Sequence, residues 1–518
     1  MKHTFIYILF FLSSVSCALG QNTDSLSISS RSKKYSGDSV KFSAYDFAKT
    51  SPFFIKKLMP QQYSSINAGY NYSKGTLMHA QDASKLYETF LSTEGITQIK
   101  TVSLWGQFAI NKTVEDSTKF AHITRYNPTN PYYFGSPIDL NYERTVYNLK
   151  ALASKNMLKN NLPIGLGADY RIGNHYSTND PRGDIKDFQF DLTATAGYNL
   201  SKQLSVGAGY RYGYGRERVN VGYKNNSLSQ GSVKPEYNTY LINGYGEAQE
   251  YNTNRSINTD FKRNGLEINL AAEKTTFGDV YFNYRYTKEK QEFYYRSDGG
   301  YFNYVDYNNI AQNFRLLWLK GIALNTLSID LQYNNNDGDN YIIEYLSNSY
   351  IFNSNTISAK ATYSIHQKKA IHNYSICIQK IGEQRQDGLA GNDIQFNQLN
   401  FSIGYGLNKQ TTQQHNWGFS VMAHYNKYLN SHFNTTANNV GVFTRNVIYY
   451  DYAYNTTSKF GANLTGDYSI PMFKQIQAGI KVGLNYWRRD DLKDFGRVLT
   501  SAPGKDRFSS NISLNLYF

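Results

Sequence analysis

His175 and Ser177 stand two residues apart, with Asn174 and Asn179 beside them. A serine hydroxyl, an imidazole base and an amide that orients the imidazole are the parts of an acyl-transfer nucleophile. Asn179, Asp180, Pro181 and Gly183 are also ordinary turn formers, so the stretch can be read without chemistry. The other histidines offer no metal spacing: His366 and His372 flank a turn, and His424 and His432 are too far apart for a strand pair. The only cysteines are Cys17 and Cys377, so neither a disulfide framework nor a thiolate cluster follows. No cofactor, metal or enzymatic activity is expected. The remaining candidates are charges: Asp169 and Arg171, Asp187 and Asp191, Arg211, then Arg285 and Arg315. On one face of a wall they form either a charge-lined constriction that filters solutes or an ion-pair network that stiffens the wall or holds a plug. Opposite charges on neighbouring strands neutralise each other, which favours the network.

These residues sit in segments that alternate with period two. Leu162, Ile164, Leu166, Ala168, Tyr170 and Ile172 interleave with Gly165, Gly167, Asp169 and Arg171. Leu192, Ala194 and Ala196 interleave with Asp191, Thr193 and Thr195. Successive side chains of a strand point to opposite faces, so each segment has one apolar and one polar face. The pattern recurs to the end of the chain, in segments of about the 9–11 residues that a membrane-crossing strand needs. Connections alternate too. Residues 201–203, 273–279, 320–325, 367–369 and 471–475 are short; 215–264, 291–309, 334–355 and 429–457 are long. Short periplasmic turns and long external loops belong to an outer-membrane barrel. The expected fold is therefore all-β: a transmembrane, antiparallel, up-and-down barrel of about 18 strands, with 14 or 16 as the other counts.

Composition agrees. Tyr alone accounts for 47 residues, while charged residues are 18%, below the roughly 25% of soluble domains. After Gly20 no run reaches the length of a membrane helix, and mean hydropathy is −0.56, so the chain would cross a membrane only as strands. The net charge of +14 is spread along the chain; it suits solvated loops and anionic lipopolysaccharide headgroups, and export excludes nucleic acid as a partner.

The N-terminal residues carry an address. Lys2 and His3 precede an apolar run at 5–12, and Ala18-Leu19-Gly20 supplies a small-x-small cleavage site before Gln21. Cys17 would be a lipoprotein cysteine in a rival reading, but Ser14 stands where that motif needs a branched apolar residue. Residues 1–20 are read as a signal peptide, 21–62 as a periplasmic tail or plug, and 63–518 as the barrel. Pro52, Phe53, Phe54, Ile55 and Leu58 form a compact apolar segment ahead of the first strand, which makes them the plug candidates.

Four resemblances add to this reading. Ser51-Pro52-Phe53 resembles the Asn-Pro-Ala segment before the first strand of fatty-acid-transporter-like barrels, with Ser51 for the Asn and Phe53 for the Ala. Leu514, Leu516 and Phe518 resemble the C-terminal strand signal of outer-membrane proteins, which implies recognition by the barrel-assembly machinery; the pattern departs at Ser513 and Leu516. His175-Tyr176-Ser177 resembles the His-x-Ser pair of outer-membrane phospholipases, but Asp180-Pro181-Arg182-Gly183 replaces their Gly-Arg after the Asn. Leu104-Trp105-Gly106 with Phe108, Pro131-Tyr132-Tyr133 and Asp180-Pro181-Arg182 resemble a family of uncharacterised outer-membrane barrels, which implies location and architecture rather than activity. The function expected is a pore or gated channel for small solutes. The alternatives are a non-conducting accessory barrel that partners a neighbouring transporter or secretion complex, and an outer-membrane hydrolase. Outer-membrane lipid and lipopolysaccharide are partners in each case.

Overall fold

A computed structural model describes residues 37–518 apart from 125–128, 230–233, 251–254, 298–299, 323, 412–414, 437–439 and 474–475. The expected signal peptide and the residues up to 36 lie outside the described residues. Eighteen antiparallel strands among the described residues form one sheet. The first, Tyr63–Lys74, pairs with its sequence neighbour Lys85–Ile99 and also with the last, Asp506–Tyr517. Ile66 stands opposite Leu516 and Tyr70 opposite Ile512, so the sheet closes on itself. Closure leaves no backbone edge to satisfy, the condition for crossing lipid with strands.

Alternation sorts the two faces. Leu166, Leu192, Leu266, Ile268, Ile403 and Leu514 project from the outside, while Asp187, Asp191, Thr195 and Arg171 are buried inside. Tyr170, Tyr210, Tyr212 and Tyr214 are exposed on the outer wall, Tyr170 in edge contact with Phe190 and Tyr214 with Phe188 and Phe190. Such amphipathic rings suit the headgroup level. A closed barrel with an apolar outer band and a polar interior is an outer-membrane protein.

Two expected loops are strands instead. Residues 291–297 and 300–309 form the tops of Gly278–Ser297 and Gly300–Ile322, and much of 334–355 belongs to Asn325–Ile342 and Tyr350–His366. Beyond the outer-wall tyrosines the outer face meets water, so the apolar half of the alternation disappears while the ladder continues. Cross-strand pairs such as Lys290 to Asp306 (2.9 Å) take over the outer face there. The described parts of two long connections, 119–139 and 223–255, turn inward. Tyr132–Gly135, Tyr240–Asn243 and Glu247–Glu250 pair as a small sheet that caps the mouth of the barrel. Tyr132, Phe134 and Leu241 pack on wall residues Tyr142, Ile185, Phe293 and Tyr350; Phe120, Tyr133 and Ile242 pack on Phe443, Val447 and Tyr449 of the 435–458 loop.

Candidate functional site

The lumen is filled at its short-turn end by residues 38–59. Asp38 caps helix α1 (Ser39–Ala48), accepting from the Val40 and Lys41 amides. Ser51 caps the next turn, Pro52–Phe54, where proline at the start costs no hydrogen bond, and helix α2 (Ile55–Leu58) follows. Apolar contacts hold the segment from two sides. Phe47, Phe53 and Phe54 pack on Ala271, Tyr281 and Leu317, with Leu58 partly buried beside them; Tyr45 and Ile55 pack on Tyr63, Ile96 and Trp105.

The wall makes room with glycine. A Cβ on Gly165 would lie 2.5 Å from the Pro52 ring, and one on Gly207 would lie 2.8 Å from the Phe53 ring. Polar contacts complete the seat. Ser51 Oγ donates to Glu267 (2.6 Å), Lys57 Nζ to Glu273 (2.8 Å), Lys49 Nζ to Glu94 (2.9 Å) and an Arg315 guanidinium nitrogen to Asp46 (2.9 Å). Arg285 donates to the Thr50 carbonyl, and His366 bonds Asp38 at 2.7 Å.

The seven charged residues singled out from sequence all lie on inward positions, but they do not form one ring. Asp169 pairs with Lys150 (3.0 Å). Arg171 and His175 share Asp187, the latter at 3.0 Å. Asp191 accepts from Arg211 (3.0 Å) and Arg263 (3.3 Å). Arg285 reaches Glu267 (3.4 Å), and Arg315 reaches Asp330 (2.6 Å) and the plug. Every one has an opposite charge beside it. Sequence reading missed Arg263, because 215–264 was taken as loop, and missed its partner Glu289. The signal was present: Phe261, Arg263, Gly265 and Glu267 alternate inward in Ser256–Thr275.

The hydrolase constellation does not assemble. Ser177 Oγ donates to the Pro181 carbonyl (3.0 Å) and accepts from the Gly183 amide (2.8 Å), so it staples a turn. His175 turns to Asp187 instead, and both side chains are buried on the lumen side, away from lipid.

Between plug and cap lies a cavity of about 540 Å³, floored by Thr50 and roofed by Thr129. Arg211, Arg263, Arg285 and Arg315 line it with Glu289 and several Asn and Gln side chains. A second cavity of about 500 Å³ runs beside α1, between Phe42 and Asn67, Asp467, Lys481 and Asn511.

The cap above is anchored by wall arginines. Arg144 donates to the Ile123 carbonyl (2.8 Å) and pairs with buried Glu115 (2.9 Å), and Arg171 donates to Thr124 (3.2 Å). His122 is fully buried in this cap, bonded to Tyr142 through Nδ1, while its Nε2 has no hydrogen-bond partner among the described residues. Burial, with the Arg144 guanidinium nearby, pushes its pKa down to about 3.

Among solved structures the chain is similar to the siderophore receptor PiuA from Acinetobacter baumannii, at 9% identity and TM-score 0.37 over 88% of this chain and 82% of that one. It is similar to the FrpB iron transporter from Neisseria meningitidis, at 10% identity and TM-score 0.41 over 90% and 82%. The alcaligin receptor FauA from Bordetella pertussis matches at 7% identity and TM-score 0.39 over 88% and 76%. No curated protein matches the sequence. A family model described as a family of unknown function, DUF6850, matches residues 52–518, from the plug to the final strand, and the chain belongs to that family.

Proposed function

We propose that the barrel is a gated channel for a small polar solute and that residues 38–59 are its gate. The observation that carries this is the seat of the plug: glycine sockets and cross-lumen polar contacts hold a segment that, among the described residues, joins a barrel strand at one end only. A segment so tethered can swing out without breaking any strand of the wall. The test is planar-bilayer conductance of the full chain against a variant lacking residues 21–59. A quiet full chain and a conducting variant support the gate; equal traces remove it.

A second reading, an accessory barrel, has its own observation. Ser64, Gly95, Gly106, Ala151 and Ala168 stand in register across five strands of the outer wall and line a groove of about 890 Å³. Small outward residues let another membrane protein approach closely. Silence in both forms of the bilayer test, with cross-linking of a neighbour through a cysteine placed at Ala151, would favour it. In either reading Leu514, Leu516 and Phe518 serve as the assembly signal, and deletion of Phe518 lowers the amount of barrel in the outer membrane.

A further inference from the structure

The cavity between plug and cap has a chemistry of its own, and the inference from it rests on the gated-channel reading. We propose that it binds a neutral, polyhydroxylated solute of about oligosaccharide size. Charge is the first argument. The four guanidinium groups on its wall are each matched by a carboxylate, Asp191, Glu289, Glu267 and Asp330 in turn. A compensated wall gives no net attraction to a free anion, and it leaves no place for the charged ends of a peptide.

Hydrogen-bonding capacity is the second argument. Among the described residues, Arg211 Nε and Arg285 Nε are buried donors without a partner, and Gln189 Oε1 and Asn309 Oδ1 are buried acceptors without one. All four residues line the same cavity, together with Asn313 and Asn334. Gln189 is only 3% exposed. Leaving a buried polar group unpaired costs about 1–3 kcal/mol, so side chains of this kind gain from a ligand that both donates and accepts. A hydroxyl does both at one atom; a metal ion only accepts lone pairs, and an apolar ligand does neither.

Size is the third argument. At about 540 Å³ the cavity falls within the range of roughly 300–1,000 Å³ typical of small-molecule sites. Asn and Gln fit hydroxyl pairs because each presents a donor and an acceptor side by side.

The test uses the full chain in detergent and saturation-transfer NMR. The probes are maltose, sucrose, raffinose and maltotriose, with citrate and trialanine as comparisons. At least one saccharide should bind more tightly than either comparison. The double variant Asn309→Leu, Asn334→Leu should weaken it by about tenfold or more, equivalent to about 1.4 kcal/mol. Asn334→Asp keeps the shape, removes the amide donor and should weaken binding as well, which covers a failure of the double variant to fold. Absence of binding by all four saccharides, tighter binding of citrate or trialanine, or full binding by both variants would overturn the proposal. The gate stands or falls separately: a saccharide that binds while the 21–59 deletion stays silent keeps the chamber and removes the gate.

Discussion

At the short-turn end of the lumen, residues 38–59 meet the wall through a few aromatic rings, glycine sockets and a scatter of polar contacts. At the loop end, the described parts of 119–139 and 223–255 meet it through a broad apolar cluster and the buried Arg144–Glu115 pair, and meet the 435–458 loop through a second cluster. The cap loops are tied to barrel strands at both ends; among the described residues the plug is tied at one. Displacing the cap would expose ring after ring at about 1.5–3 kcal/mol each; the plug also buries Tyr45, Phe47, Phe53 and Phe54, beside hydrogen bonds worth about 0.5–1.5 kcal/mol each once water replaces them. Under the proposed function, one lumen would carry a permanent lid and a removable one.

The largest effects should follow from damage to the permanent lid. Tyr132→Ala and Phe134→Ala remove fully buried rings from the cap and should each cost about 3–5 kcal/mol, read as urea unfolding in micelles. A cost near that of a surface change would erase the contrast between the two closures.

Next in size is the contrast between the inside and outside of the wall. Ala194→Arg should cost about 2–4 kcal/mol in lipid if it sits near the midplane, and Thr193→Arg, on the lumen side, much less. Equal costs in the same lipid-bilayer unfolding assay would contradict the assigned faces.

The removable lid should respond in conductance more than in stability. Gly207→Leu fills the socket of the Phe53 ring, and overpacking of about 1–3 kcal/mol is relieved if the plug leaves. The expected outcome is a raised bilayer current from a barrel that unfolds at nearly unchanged urea concentration. A large loss of stability with no current would mean that the plug is as integral as the cap.

The smallest effect is a pH dependence confined to the cap. His122 has its folded pKa depressed from the ordinary 6.5 to about 3, so its contribution is complete above 6.5 and is lost progressively as the pH falls toward 3. Between pH 6.5 and 5.5 the loss should be about 1 kcal/mol, and His122→Gln should flatten that part of the stability profile. Acidification that raised current without lowering cap protection in hydrogen exchange would place the sensitivity elsewhere.

Much of the barrel was determined by sequence alone, because lipid outside and polar groups inside impose a period that every wall strand must repeat. Leu192 and Thr193 could be assigned to opposite faces from their spacing, and a count of about 18 strands followed from repeating the rule. The rule failed where its cause ended: above the membrane the outer face meets water while Phe293, Val305 and Tyr307 turn inward onto the cap, so the strands through 291–309 do not repeat the outward apolar pattern. Only the tertiary structure decided the lumen. Arg315 meets Asp46 across a sequence separation of 269, and His366 meets Asp38 across 328. Such pairs depend on which strands closure brings opposite the plug, and no local pattern records that. Gly165 and Gly207 make room for the Pro52 and Phe53 rings, a fit set by where the folded segment lies against the wall and recorded in no local pattern. The cap sheet likewise joins 132–135 to 240–243, two loop segments whose pairing arises only because the barrel holds both over one mouth.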